Sequence, residues 1–221
     1  MKKALLLIIA TASTALTSYA TTVLPGWETP LQTILDSRVT GTSIDVNSSQ
    51  VADDSYWTAN LNPAAYLVIE IAGYAATNAF GLYEIGDPSN KLQVFDGAAT
   101  GMSGQVNIVV PATWKAFGYY MENSVIGFTW YSDASLNANG GKDHFVAFQG
   151  ATGATLGNAT FDSNDYVLAI EDTNLGDQDY NDMVVLVQNV KPVPEGGATL
   201  ALLGFGLVAI HAIRRKLSLA K

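Results

Sequence analysis

Tyr166-Val167-Leu168-Ala169-Ile170-Glu171-Asp172 and, a short turn later, Gly176-Asp177-Gln178-Asp179-Tyr180-Asn181-Asp182-Met183-Val184-Val185-Leu186-Val187 decide how this chain folds. Residues 166–170 and 183–187 are unbroken apolar runs that each contain β-branched residues. Each is the length of a strand and too short for a stable helix, and Gly, Asn and Asp punctuate the interval. The pair reads as two buried strands joined by an acidic turn.

The pattern repeats outward in both directions. Residues 66–71, 80–85, 91–95, 105–110, 125–131 and 144–148 are short apolar or aromatic runs. Gly, Asn, Asp or Pro closes each, including the turn expected at 86–90. Many short strands without a sustained 3.6-residue period predict an all-β domain, an antiparallel β-sandwich of jelly-roll-like kind. Short helices are expected only near residues 30–35 and 113–119. The strand series spans a body of 66–190, with 21–65 as an N-terminal segment of the same mature domain.

Composition narrows the function classes. The chain has 221 residues, 48% hydrophobic and 14% charged, which is enough apolar content for a packed core. It contains no Cys, which excludes a disulfide framework, a thiol nucleophile and Cys-ligated metal. Between residues 21 and 190, four cations (Arg38, Lys91, Lys115, Lys142) face nineteen carboxylates, a net charge of −15. A surface of that sign repels phosphate backbones, so nucleic acid is not an expected partner.

Both ends read as processing signals. Residues 1–20 combine Lys2 and Lys3, an apolar stretch and the small-x-small site Ser18-Tyr19-Ala20, the pattern of a signal peptide cleaved before Thr21. At the other end stand Val193, Pro194, Glu195, Gly196, Gly197 and Thr199, an apolar stretch predicted to be a short transmembrane helix over about 199–213, then Arg214 and Arg215. This tail, 193–221, resembles the PEP-CTERM sorting signal of Gram-negative bacteria. That resemblance implies processing by an exosortase, transient insertion in the inner membrane, and release to the cell surface or extracellular matrix.

The acidic turn holds the only constellation with chemistry in it. Seven carboxylates lie between Asp162 and Asp182 with no cation among them. Asp177, Asp179 and Asn181 alternate, so their oxygens are candidates to converge on a hard cation such as Ca2+. Glu171, Asp172 and Asp182 are the candidates to complete a shell of about six to eight oxygens. The alternative is a solvated acidic turn. An EF-hand is excluded, because Asp182 stands where that loop needs Gly.

The same segment resembles the domain-of-unknown-function family 4114 in its Glu171-Asp172, Gly176 and Asp177-Gln178-Asp179-Tyr180-Asn181-Asp182 pattern. The likeness extends over roughly 80–190, with Ser132-Asp133, Leu136-Asn137 and His144-Phe145 upstream. It implies a β-rich exported protein without an established activity.

Signals for catalysis are thin. His144 is the single His of the body, without a G-x-S-x-G elbow, and is expected to be structural. Trp57, Trp114 and Trp130 offer either core packing or a sugar-stacking face. The expected role is a non-enzymatic surface or matrix protein with Ca2+ as a candidate stabiliser. The alternative is a module binding extracellular polysaccharide.

Overall fold

A computed structural model describes residues 21–24, 26, 28–70, 75–96, 105–157, 159–173 and 175–194, apart from the side chains of 61 and 66–70. The expected signal peptide and, from Glu195 onward, the sorting tail lie outside the described residues. Among the described residues no helix is long and apolar enough to cross a membrane.

The elements in chain order are α1 (Leu31–Arg38), β1 (Val39–Thr40), β2 (Trp57–Glu70), β3 (Asn78–Glu84), β4 (Asp87–Phe95), β5 (Val106–Asn107), β6 (Phe117–Asn123), β7 (Phe128–Tyr131), β8 (Phe145–Gln149), β9 (Thr155–Leu156), β10 (Ala159–Thr160), β11 (Tyr166–Ile170) and β12 (Met183–Pro192). The main sheet runs β4-β3-β6-β2-β12-β11-β8, with β5 on β2 and β7 on β6; β1-β9-β10 form a small second sheet. Every pairing is antiparallel. Among the described residues the all-β expectation therefore holds as antiparallel, curled sheets with little helix, α1 and two 3-10 turns.

Strands β8, β11 and β12 are buried on both faces, which is why their sequences are continuous apolar runs rather than alternating ones. Phe145, Ala147, Leu168, Ile170, Met183, Val185 and Val187 face a larger core shared with β3 and β6. Val146, Phe148, Val167, Ala169, Val184 and Leu186 face a second core, closed by Leu31 and Leu35 of α1 and by Ile44, Val46, Leu156 and Phe161. Trp57 sits where the sheet curls. Its ring meets Tyr119 of β6 at 5.6 Å and Tyr166 of β11 at 5.0 Å, both edge-on, and its indole N–H donates to the Asp54 carbonyl at 2.8 Å.

Helix α1 follows Pro30, whose fixed φ suits a helix start, and buries Leu31, Ile34 and Leu35 at i, i+3 and i+4. Gln32 ties the next segment to the helix. Its Nε2 donates to the Ile44 carbonyl at 2.9 Å and its Oε1 accepts from the Val46 N–H at 3.0 Å. The second expected helix, at 113–119, is corrected: Phe117 to Tyr119 open strand β6, held between β3 and β7. Pairing of Tyr119 and Tyr120 in the sheet outweighs a weak local helical tendency.

Two other boundaries differ from the sequence pattern. Strand β2 begins at Trp57, nine residues before the run at 66–71. It passes Pro63 through an irregularity where the register shifts between Gln188 and Val190. Asn62 and Asn189 take positive φ there (57° and 59°), and the Asn189 amide donates to the Asn62 carbonyl at 3.1 Å. A strand proline is tolerated at such a bulge. The expected turn at 86–90 shortens to Ile85-Gly86, with Gly86 at φ 90°, so that Asp87 to Asn90 already belong to β4. Pro88 fits because β4 ends the strand path. At the other end of the path, residues 49–51 lie along β8: Gln149 N–H donates to the Ser49 carbonyl at 3.1 Å and Val51 N–H to the Ala147 carbonyl at 2.8 Å.

Because both cores share the β8-β11-β12 sheet, they should unfold together. Leu82→Ala in the larger core and Leu35→Ala in the second should each destabilise by about 2–5 kcal/mol, additively within about 0.5 kcal/mol. Each should move one common calorimetric transition; two separated transitions would show that the cores are independent.

Candidate functional site

The connection from β11 to β12 leaves the sheet at Glu171 and re-enters at Met183. The turn buries Glu171, Asp172, Asp179 and Asn181, while Gly176 is exposed and Asp177 and Gln178 are half-buried. Leu175, Gln178 and Tyr180 adopt left-handed φ values of 53°, 56° and 52°. For non-glycine residues each costs on the order of 1 kcal/mol or more, and persists only where its surroundings hold it. Tyr180 supplies part of that hold. Its ring is fully buried in the second core, its hydroxyl donates to the Asp143 carbonyl at 2.8 Å, and its N–H donates to Glu171 Oε2 at 3.2 Å.

Glu171, Asp177 and Asp179 converge, with one carboxylate oxygen of each within 4.8 Å of the others. Glu171 and Asp179 are only 3% and 2% exposed. Asp179 Oδ2 and Asn181 Oδ1 are buried without a hydrogen-bond partner. Asn181 Nδ2 is used, donating to the Thr29 carbonyl at 2.9 Å. Asp172 and Asp182 are not part of the three-carboxylate group. Asp182 Oδ2 instead accepts the Asp172 N–H at 2.8 Å, and the Asp172 carbonyl accepts the Trp130 indole N–H. Of the six candidate ligands, three thus gather, Asn181 lies in the same turn with an unanswered oxygen, Asp182 is bonded to the Asp172 backbone, and Asp172 lies outside the group with its own Oδ2 unanswered.

Another buried carboxylate of the same chain makes an internal comparison. Asp165 is 2% exposed, yet its oxygens accept from Asp162 N–H at 2.9 Å, Gln188 Nε2 at 3.0 Å and Asn189 N–H at 3.0 Å. At Asp179 Oδ2, as at Asp172 Oδ2, there is no hydrogen-bond partner among the described residues.

Burial and mutual repulsion shift the protonation of the cluster. Glu171 is pushed up to about 8, first by burial and then by the charges of Asp182 and Asp177, against the Tyr180 N–H. Asp179 is pushed up to about 6 by burial and by Asp177 and Glu28. Burial raises Asp172; burial and the Asp172 charge raise Asp182.

The residues missed by sequence reasoning come from the N-terminal strap, here its described residues 21–24, 26, 28 and 29. Leu24 N–H donates to the Gln178 carbonyl at 2.8 Å. Gly26, at φ 29°, lies so close to the cluster that a Cβ there would stand 1.9 Å from Asp179 Oδ2. No local sequence signal links Gly26 to an acid 153 positions further on.

His144 is fully buried and stacks on Trp130 at 4.0 Å. Its Nδ1 pairs with the Glu171 carbonyl at 2.9 Å and its Nε2 with the Asn139 amide at 2.7 Å. Both nitrogens are engaged, as the structural reading expects. Desolvation lowers its pKa to about 4, with Lys142 acting in the same sense. Trp57, Trp114 and Trp130 all belong to the larger core, the packing role that the sequence also offered them.

A family model described as Domain of unknown function (DUF4114) matches residues 105–189, which include the whole acidic turn but less than half of the chain. The match starts well after residue 80, where the sequence resemblance was placed. A VPDSG-CTERM motif, an exosortase-type sorting signal, matches residues 192–217. It is a close variant of the expected PEP-CTERM signal, with Glu195 and Gly196 at the places of its Asp and Ser. No curated protein and no solved structure matches the chain.

The raised carboxyl values carry a sign that can be measured. Above the unfolded value of about 4.3, the folded state holds protons on Glu171 that the unfolded chain has lost. Stability in chelator should therefore fall as pH rises through the folded value near 8. His144 works in the opposite sense only below about 6.5. Between pH 6.5 and 8, thermal melts in chelator should show stability falling, by up to about 1.4 kcal/mol per pH unit for each proton released. Glu171→Gln should flatten the slope.

Proposed function

We propose that this chain is an exported, non-enzymatic surface or matrix protein, released by an exosortase, whose β-domain is stabilised by Ca2+ at the β11–β12 turn. Export and sorting rest on the VPDSG-CTERM motif. The two halves of the curled sheet facing each other across the larger core support the sandwich reading of the domain. The calcium reading is carried by Asp179 Oδ2, a buried carboxylate oxygen without a donor, in a cluster of three acids.

The residues present fit the ion. All donors are hard oxygens, as Ca2+ prefers, and two ligands at about 2.4 Å from one ion stand no more than about 4.8 Å apart. Glu171, Asp177 and Asp179 would hold it through carboxylates and Asn181 through Oδ1. The ion would supply positive charge to a turn that has none, replacing the protons that otherwise reside there. In a Cys-free domain outside the cell, it takes the place of a covalent staple.

An ion that binds only the folded state stabilises it by about 2.7 kcal/mol at a hundredfold excess over its dissociation constant. For a domain of this size the melting midpoint should rise by about 5–11 °C. Asp179→Asn should remain folded and lose the rise, and Mg2+ should substitute poorly because it demands a tighter octahedral shell. Identical melting curves in chelator and in millimolar Ca2+, at fixed ionic strength, would leave a solvated acidic turn.

Sorting has its own test. Protein recovered from an exosortase-bearing host should have a mass lacking residues 1–20 and the apolar stretch after Thr199. A mass that retains this C-terminal stretch would indicate a permanent anchor.

A further inference from the structure

We infer that the fold contains a binding site for its own processed N-terminus: the α-ammonium created by cleavage before Thr21 pairs with the Asp143 carboxylate and latches the strap over the acidic turn. The inference rests on cleavage after Ala20, not on the calcium reading.

Three hydrogen bonds set the register of the strap at this point. Thr21 Oγ1 donates to Asp143 Oδ2 at 2.8 Å. Gln50 Nε2 donates to the Thr21 carbonyl at 2.7 Å. Leu24 N–H donates to the Gln178 carbonyl at 2.8 Å. The residue expected to become the first of the mature chain is thus clamped from two sides, and its backbone nitrogen belongs to the same residue whose hydroxyl touches the carboxylate. In the precursor that nitrogen is a neutral amide. After cleavage it is an amine with an ordinary pKa near 8, charged at neutral pH.

The electrostatic setting favours that charge. The body has only four cations against nineteen carboxylates, and the strap itself contributes Glu28, whose charge acts on Asp179. Asp143 is half-buried, so an ion pair there is less screened than one in open solvent. Its other oxygen accepts the Phe145 N–H at 3.1 Å, and its backbone carbonyl accepts the Tyr180 hydroxyl at 2.8 Å. Docking the ammonium at Asp143 therefore braces the residue that also holds the strained turn. Processing by the signal peptidase completes an interaction that the precursor lacks.

The test uses exported full-length protein with its N-terminus verified by mass. Inserting Gly-Gly between Ala20 and Thr21 leaves the cleavage site intact and moves the ammonium away. The melting midpoint should fall by about 2–4 °C. Asp143→Asn keeps an acceptor for Phe145 and should lower the midpoint by itself. In that background the insertion should have no further effect. Selective Nα-acetylation of the exported wild-type protein is the second measurement and should reproduce the fall without any mutation. Equal midpoints for free and acetylated N-termini, or an insertion effect of full size in Asp143→Asn, would overturn the inference.

Discussion

A strand hairpin buried on both faces sets the terms for everything else in this domain. The β8-β11-β12 sheet carries apolar side chains on its two sides, and each side needs a cover. The curl of the main sheet about Trp57 brings β3 and β6 over one side. Helix α1, the 39–46 segment and the small β1-β9-β10 sheet close the other. Each cover has a local device that fixes it, the paired tyrosines around Trp57 on one side and the two-pronged Gln32 contact on the other. The segment before the first long strand is therefore a structural layer of the domain.

The same constraint creates the acidic site. A turn that joins two fully buried strands inherits their burial, so Glu171 and Asp179 are drawn out of water by position rather than by their own preference. Burying like charges together is unfavourable unless protons or a cation offset them. Asp165 meets three donors, whereas Asp179 and Asp172 each keep a buried oxygen that meets none. Left-handed backbone at Leu175, Gln178 and Tyr180 is the conformational cost of this closure.

Much of this was legible in the residues, for identifiable reasons. Continuous apolar runs at 166–170 and 183–187 reveal strands buried on both faces, and the D-x-D-x-N spacing marks the turn. The partition of its acids was not legible. Alternate spacing places Asp177, Asp179 and Asn181 on one side only if the chain is extended, and the left-handed residues between them break that periodicity. Glu171 therefore joins the cluster, while Asp182 turns to the Asp172 N–H. The strand at Phe117 was hidden because sheet pairing, which brings Tyr119 and Tyr120 between β3 and β7, depends on residues far apart in sequence. The strap over Asp179 was hidden for the same reason.

The two ends of the main strand path are closed in different ways. Strand β4 places Pro88, which has no N–H to offer, and charged Asp87 and Lys91 along the outer margin. The free side of β8 is occupied by residues 49–51 of the same chain. The sorting motif is that of an exported, surface-sorted protein. Unguarded strand margins would let neighbouring molecules extend one another's sheets into fibres. Here both ends of the path resist that growth.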